Sequence, residues 1–174
     1  MKLLRLTAVT LLFLGNSTFG QSKIDSTLKP EESTYYDGPV NTVFEPGFIL
    51  RTRSKNYYKI SGKKKYANKV ANSEIKVYRE KKRKYLLVIQ GIEDPISASK
   101  LQDVIESNID GDFRGWDGTT SFKLMNGDVW VQDEIKTLFS SAIFRPVVFI
   151  YQDSDGTYKM KVAGVEETVQ VKKK

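Results

Sequence analysis

The sequence predicts a mainly β protein, in which a small antiparallel barrel, SH3-like or OB-like, is preceded by a basic β-hairpin region. Short runs of alternating apolar and polar residues recur at a spacing of about 8–14 residues, which is typical of small all-β folds. Turn-forming residues separate these runs, above all the pair Asn126-Gly127. Residues 111–132 concentrate both tryptophans, Trp116 and Trp130, and four of the twelve glycines.

The N-terminus has the layout of a secretory signal peptide. Lys2 and Arg5 accompany a short apolar run at residues 6–14, and small or polar residues follow up to Gly20, after which we expect cleavage. The run is too short to span a bilayer, which takes roughly 20 residues; a membrane anchor or a buried helix is the alternative. We therefore expect residues 1–20 to be a signal peptide and the protein to be exported, periplasmic or extracellular, without a transmembrane segment after cleavage.

Composition removes several kinds of chemistry. The 174 residues include no cysteine and no histidine, so disulfides, thiol nucleophiles and Ser-His-Asp triads are excluded, as is zinc or copper held by those side chains. Nothing indicates a cofactor. The net charge of +7 falls by two, to +5, when the leader is removed. Residues 51–84 hold fourteen Lys or Arg against two Glu, whereas residues 85–170 hold seven against fourteen Asp or Glu.

The chain divides into four parts. After the leader, residues 21–46 contain three prolines without periodicity and are predicted to form a flexible linker. Residues 47–101 form the basic region, in which a strand at 74–78 and an apolar strand at 85–92 make a hairpin with a charged tip. A short segment at 61–72 is partly helical in composition.

Residues 102–174 are predicted to form the barrel domain. The run at 104–113 favours a strand that bends at Gly111, with a helix over 98–108 as the alternative. Asn126-Gly127 predicts a hairpin with a type I′ turn, in which both central residues have positive φ. The spacing of Ile135, Leu138 and Phe139 favours a helical turn. The remaining strands are predicted at 146–151, 157–162 and 168–171.

The segment 111–132 also resembles a known pattern. Its glycines, aromatic residues and Asn-Gly turn are similar to the C-terminal domain of a family of uncharacterised bacterial proteins. Arg145-Pro146, the strand at 158–162 and the hairpin strand at 74–78 extend the resemblance over about residues 74–172. The sequence departs from that pattern at residues 135–143, where family members carry a Tyr-rich run with a histidine. The resemblance implies a fold and no activity.

A basic cluster with interleaved tyrosines is the best candidate binding site. Its centre is the hairpin tip, and aromatic residues beside positive charge suit a polyanion; a solvated hairpin tip is the alternative. The ring faces of Trp116 and Trp130 are candidates for stacking on a sugar or a base, with a place in the core as the alternative. The predicted ligand-binding residues are Trp116, Trp130, Lys81, Lys82, Arg83, Lys84, Tyr57 and Tyr58.

Carboxylates are the candidates for other chemistry. Asp110, Asp112 and Asp117 offer paired carboxylates for glycoside hydrolysis. Asn108, Asp110 and Asp112 also have the spacing of a calcium loop, but Phe113 stands where that loop needs glycine. A polar strand bend is the simpler interpretation, and we predict no metal site and no catalytic residue.

The sequence therefore favours an exported, non-enzymatic binding module. We expect the partner to be an envelope protein, a glycan or another anionic ligand, and export argues against nucleic acid. A carboxylate-dependent hydrolase acting on envelope or extracellular glycans is the alternative. A structural subunit is a third possibility, and an exposed apolar patch or a free β edge would indicate it.

Overall fold

The computed structural model describes Ile24 and residues 29–174. These residues form sixteen β-strands and no helix, so the prediction of a mainly β protein is confirmed. The predicted signal peptide at residues 1–20 lies outside the described residues. A search of the described part found no helix with the length and hydropathy needed to cross a membrane.

The N-terminal lobe, residues 29–101, contains eight strands. Six of them form one sheet in the order β1-β6-β7-β8-β4-β3, and β2 pairs with β5 in a separate ribbon. The strands are β1 (Glu32–Tyr35), β2 (Val43–Phe44), β3 (Ile49–Arg51), β4 (Tyr57–Ile60), β5 (Tyr66–Ala67), β6 (Glu74–Lys81), β7 (Lys84–Ile89) and β8 (Ile96–Lys100).

The prediction of a flexible linker is wrong for residues 29–46. Strand β1 pairs antiparallel with β6, and Tyr36 and Phe44 are buried in the core of the lobe, with their rings 5.1 Å apart edge to face. The three prolines made this segment resemble a linker, but all of them lie outside β1 and β2. Its two strands are too short to show periodicity, and their pairing partners lie more than twenty residues away.

The predicted hairpin of the basic region is confirmed as β6 and β7. Its apolar second strand is buried on both faces: Leu87 lies in the main core of the lobe, and Val88 packs on the other face with Tyr78 and Ile24. Burial on both faces explains why this strand lacks alternation. The partly helical composition at 61–72 leads to no helix, and Tyr66–Ala67 forms β5.

The C-terminal lobe, residues 102–174, contains the other eight strands. Six form a sheet in the order β11-β12-β16-β15-β14-β9, and β10 pairs with β13. The strands are β9 (Gln102–Asn108), β10 (Asp112–Trp116), β11 (Ser121–Lys123), β12 (Val129–Gln132), β13 (Leu138–Phe144), β14 (Val147–Gln152), β15 (Tyr158–Val162) and β16 (Thr168–Lys173).

The sheet architecture is a curled half-barrel, and the predicted closed barrel is not confirmed. In the C-terminal sheet β11 and β9 are the edge strands, and no ladder joins them. The chain nevertheless makes one isolated bridge just past these edges, between Ile109 and Leu124. Two backbone hydrogen bonds flank it, from Asp110 N to Lys123 O at 2.8 Å and from Met125 N to Asn108 O at 2.9 Å.

The segment near residue 111 follows the predicted strand and not the alternative helix. β9 pairs antiparallel with β14, and β10 then runs along β13. Between β9 and β10 the chain bends at Gly111, whose φ of 125° strongly favours glycine.

The hairpin around Asn126-Gly127 is confirmed, but its predicted turn type is wrong. Only Gly127 has a positive φ, 91°, whereas a type I′ turn needs a positive φ at both central residues. Gly127 N donates to Leu124 O, and Leu124 N donates to Asp128 O, both at 2.9 Å. The loop therefore contains one residue more than a two-residue turn, and Gly127 alone takes the left-handed conformation.

The helical turn predicted for residues 133–143 is also wrong, because Leu138–Phe144 forms strand β13. Gly115 of β10 faces this strand with φ 111°, and a Cβ there would lie 1.8 Å from Leu138 O. Glycine therefore permits a backbone approach that no other residue allows. Tertiary pairing at this position overrides the helical spacing of Ile135, Leu138 and Phe139.

Candidate functional site

The tip of the β6–β7 hairpin presents four consecutive cations. Lys81 and Lys84 are opposite each other at the ends of the two strands, with Lys82 and Arg83 in the turn between them. Arg83 has a φ of 63°, and all four side chains are exposed. Like charges directly opposite each other are unfavourable, so the tip concentrates positive charge against the local electrostatic preference.

The predicted basic cluster also includes Lys63, Lys64, Lys65 and Arg79, and the last three of these are neutralised. Lys64 pairs with Asp94 at 3.1 Å, Lys65 with Glu45 at 2.7 Å, and Arg79 with Glu31 at 2.7 Å. At the tip, Arg83 donates a hydrogen bond to the Gln102 side chain at 3.0 Å. Within residues 29–174, no carboxylate lies within 4 Å of the four tip cations. The uncompensated charge of the cluster is therefore concentrated at the tip, and Lys63 is one further exposed cation without an ion pair among the described residues.

Tyr57 and Tyr58 do not accompany the tip. Tyr58 is buried in the N-terminal core, and its hydroxyl donates to Glu32 Oε2 at 2.7 Å. Burial and that carboxylate raise its pKa. Burial alone would raise the pKa of Glu32, but hydrogen bonds from Tyr58 and Asn56 hold it below the usual value. The predicted role of Tyr58 in ligand binding is therefore corrected to a role in the fold.

Tyr57 lies at the contact between the two lobes. Its hydroxyl donates to Glu106 Oε2 at 2.8 Å, and its ring lies edge to face with Phe149 of β14 at 6.1 Å. Arg51 pairs with the other oxygen of Glu106 at 2.5 Å. Burial, followed by the bond to Glu106, raises the pKa of Tyr57 to about 12. Nearby, Lys59 Nζ lies 3.0 Å from the Tyr151 hydroxyl. Tyr57 therefore contributes to the contact between the lobes and does not lie beside the hairpin tip.

Both tryptophans belong to the C-terminal core. Trp116 and Trp130 are each only 2% exposed, so neither presents a ring face for stacking. Trp130 packs against Tyr158 with ring centres 5.3 Å apart, and Trp116 packs against Phe113 at 5.8 Å. Their predicted role as a stacking platform is therefore wrong, because a small β core fills its interior with large side chains.

The candidate carboxylates are held as surface anions. Asp110 pairs with Lys123 at 2.7 Å and lies 3.9 Å from Arg145; the hydrogen bond from Lys123 lowers the pKa of Asp110. Backbone and hydroxyl donors of Thr119 and Thr120 likewise lower the pKa of Asp117, which caps a turn. Within the described residues, no group of three or more carboxylates is placed to hold a metal ion.

Comparisons with family models, with curated proteins and with solved structures found no match. The resemblance over residues 74–172 stays a prediction.

An exposed apolar edge is the feature that the sequence did not predict. Phe139 and Phe144 of β13 are 88% and 70% exposed, and Ile135 before the strand is fully exposed. Among the described strands β13 pairs only with β10, so its other edge is open. Leu138–Phe144 contains no charged residue and no proline, which is the sequence signal that marks an unprotected edge.

Proposed function

We propose that this protein is an exported, non-enzymatic binding module that holds an anionic partner through the tip of its β6–β7 hairpin. The uncompensated charge of Lys81, Lys82, Arg83 and Lys84 carries this proposal. A hairpin stiffened by a buried second strand projects these cations from a packed lobe, so they meet a partner with little loss of backbone freedom.

The partner class follows from the chemistry of the tip. Three lysines and one arginine within four residues supply many donors and no shape-specific pocket. Such a surface recognises closely spaced negative charges, such as those of an acidic glycan, an anionic lipid surface or an acidic protein face. Because exposed charges act through solvent, binding weakens strongly as salt increases.

Export is part of the proposal and rests on residues 1–20. The basic start, the apolar run and the small residues near Gly20 support cleavage there. Mass determination of the protein recovered outside the cytoplasm tests it: a mature chain that begins at Gln21 agrees, whereas a retained leader contradicts cleavage.

We also propose that the C-terminal lobe is a partly open version of the small SH3-like or OB-like barrel. The bridge between Ile109 and Leu124, which brings the two sheet edges together, supports this interpretation.

The binding test uses mature protein, residues 21–174, with three defined polyanions: a sulfated polysaccharide, vesicles containing anionic lipid, and poly-glutamate. We expect at least one to bind at low salt and to be released as salt rises. Changing Lys81, Lys82, Arg83 and Lys84 together to Ser should reduce that binding by at least about tenfold, since several close charge contacts are lost at once.

The matched control removes cations that already have partners. The fourfold change of Lys55, Lys64, Lys65 and Lys123 to Ser removes the same number of charges, but from ion pairs, so binding should fall by less than about threefold. Equal losses in the two variants would show a response to net charge alone and contradict a site at the tip. Failure of all three polyanions at low salt would also refute the proposal.

The alternative of a carboxylate-dependent hydrolase receives less support. A glycosidase acid needs a carboxyl group with a raised pKa so that it carries a proton at neutral pH. The pKa values of Asp110 and Asp117 are instead lowered, and their partners are lysine, arginine, hydroxyl and amide donors. These surroundings stabilise permanent anions.

The open edge of β13 favours one second candidate, a structural subunit that assembles with a second copy of itself. Phe139 is the second and Phe144 the last of the seven residues of the strand. An antiparallel second copy paired in the register centred between Ser141 and Ala142 would bring each Phe139 opposite the partner's Phe144, cover exposed apolar surface and satisfy the open edge. This self-complementarity is the reason to choose a second copy over another chain.

Sedimentation over a range of concentrations tests this candidate. We expect a dimer that Phe139→Ser or Ser141→Pro converts to monomer, because the first removes apolar contact and the second blocks edge pairing. Val43→Ser is the control, because it changes an exposed apolar residue of β2, away from the open edge, and should leave the dimer intact. A monomeric wild type at all concentrations would eliminate the candidate.

A further inference from the structure

A cleft between the two lobes has the features of a site for a small molecule. It has a volume of about 630 Å³ and lies between residues 45–49, which lead into β3, and residues 161–166, which join β15 to β16. This volume is in the range of small-ligand pockets. Most of its wall is apolar, formed by Pro46, Phe48, Ile49, Phe149 and Val165.

Lys161 contributes an ammonium group to this apolar cleft. Lys161 is paired across the sheet with Phe149 of β14, so both side chains lie on the face of the sheet turned away from the C-terminal core. Its neighbours in the strand, Met160 and Val162, are fully buried in that core. The alternation of β15 therefore fixes Lys161 in the cleft.

The charge of Lys161 has no direct counter-ion among the described residues. Its Nζ donates to the backbone oxygen of Glu166 at 2.5 Å. The other lysine of the cleft, Lys65, is paired with Glu45 at 2.7 Å. Desolvation in the apolar wall lowers the pKa of Lys161, with a smaller contribution from Lys59, while Glu45 and Glu166 oppose this from a greater distance. A partly dehydrated cation with no counter-ion in contact is unfavourable until an anion binds beside it.

We propose that this cleft binds a small amphipathic anion, with an apolar body against Phe48, Phe149 and Val165 and a single carboxylate or phosphate head on Lys161 Nζ. The apolar wall supplies burial for the body of the ligand. The head would give Lys161 the ion pair that it lacks, in addition to its hydrogen bond to the Glu166 backbone oxygen. Lys161 has no carboxylate within 4 Å among the described residues, so one negative charge on the ligand matches it, and the Glu166 carboxylate that also lines the cleft disfavours a second.

This site is independent of the hairpin tip. The tip recognises many charges on an exposed surface, whereas the cleft recognises one charge together with an apolar body. The lining residues come from both lobes, so occupation would also couple them. Binding should therefore raise the unfolding midpoint of the whole chain.

Three probes with the same ten-carbon chain separate the effect of the head group: decanoate, decanol and decylamine. Titrations are followed by amide NMR on residues 21–174. We expect decanoate to bind at least about tenfold more tightly than decanol, which corresponds to about 1.4 kcal/mol, and decylamine to be the weakest. Shifts should centre on residues 45–49 and 161–166. Equal binding of decanoate and decylamine, or shifts elsewhere, would overturn the proposal.

Lys161→Met tests the ammonium while keeping the apolar stem. Decanoate affinity should fall by about tenfold, to that of decanol. The control is the four-residue tip variant, which should bind decanoate as the wild type does. Loss of polyanion binding in the tip variant is therefore measured separately from loss of decanoate binding at the cleft. Undiminished affinity in folded Lys161→Met would overturn the role of Lys161.

A measurement on the wild type keeps the proposal testable even if Lys161→Met does not fold. With ¹³C-labelled lysine, the pKa of Lys161 should be low in the free protein and should rise when decanoate binds, because an adjacent anion favours the charged form. Titration of decylphosphonate distinguishes a phosphate-type head from a carboxylate. An unchanged Lys161 pKa at saturating decanoate would refute the contact.

Discussion

Removing one hydroxyl group from the N-terminal core should destabilise that lobe in a pH-dependent way. Tyr58 is buried and donates to Glu32 at 2.7 Å, while Asn56 donates to the same oxygen at 2.9 Å. Tyr58→Phe keeps the ring and removes the donor. A hydrogen bond to a charged group contributes about 1.5–3 kcal/mol. Because Glu32 is only partly buried, we expect a loss near the lower end, about 1.5 kcal/mol.

The sign of the pH dependence follows from Glu32. Its pKa is lowered in the folded protein, so its contribution to stability is present above the ordinary value of 4.5 and is lost as the pH falls through the folded pKa. The Tyr58→Phe difference should therefore be largest near neutral pH and shrink in acid. Once Glu32 is protonated in both proteins, the charged bond no longer contributes.

Denaturant unfolding at a series of pH values is the assay. Far-UV circular dichroism reports all strands, whereas fluorescence reports the two tryptophans, which both lie in the C-terminal core. Tyr158→Phe is the control, because the Tyr158 ring packs on Trp130 and its hydroxyl has no hydrogen-bond partner among the described residues. A loss below about 0.5 kcal/mol, or a loss that is constant from neutral pH to acid, would refute the reasoning.

Three further outcomes test other parts of the structure. Gly115→Ala should lower the free energy of unfolding by at least about 3 kcal/mol, because a Cβ would lie 1.8 Å from Leu138 O. The control Gly118→Ala, which has open space and a φ of 102°, should lower it by about 1–2 kcal/mol. Fluorescence-detected unfolding measures both variants, and equal losses would contradict the close approach at Gly115. Glu106→Gln should lower the pKa of Tyr57 from about 12. The phenolate absorbance transition of Tyr57, identified by its absence in Tyr57→Phe, should then occur at a lower pH. An unshifted transition would show that burial alone raises the pKa of Tyr57. The folded pKa of Tyr57 is raised, so its contribution to stability should be fully present below the ordinary pKa of 10.0 and should be lost as the pH rises through the folded pKa. Alkaline unfolding that begins at the same pH in the wild type and in Tyr57→Phe would contradict this contribution.

Local patterns in the sequence predicted the β architecture well. The alternation at 74–78 and the turn signal at Asn126-Gly127 each produced the predicted hairpin, because a hairpin depends on neighbours in the chain. The turn type was wrong, since the loop gained a residue and only Gly127 took a positive φ. Periodicity identified the strands of these hairpins but could not specify the geometry of the turn that joins them.

Long-range pairing explains what the sequence did not reveal. Residues 32–35 became a strand because β6 lies beside them, and residues 138–144 became a strand because Gly115 admits a close neighbour. Composition likewise placed aromatic residues near basic ones, yet Tyr58 was drawn into the core and Tyr57 into the lobe junction. The side on which a residue lies depends on partners distant in the chain, which short patterns do not encode.

The place of β16 in the C-terminal sheet sets an order of folding. This strand lies between β12 and β15, although it is the last strand along the described chain. Until residues 168–173 are available, the β11–β12 hairpin has no ladder to the other strands of its sheet. The N-terminal sheet needs nothing beyond Lys100 and can form earlier. The C-terminal sheet can therefore be completed only after synthesis reaches β16, so partly made chains present an incomplete sheet with open edges.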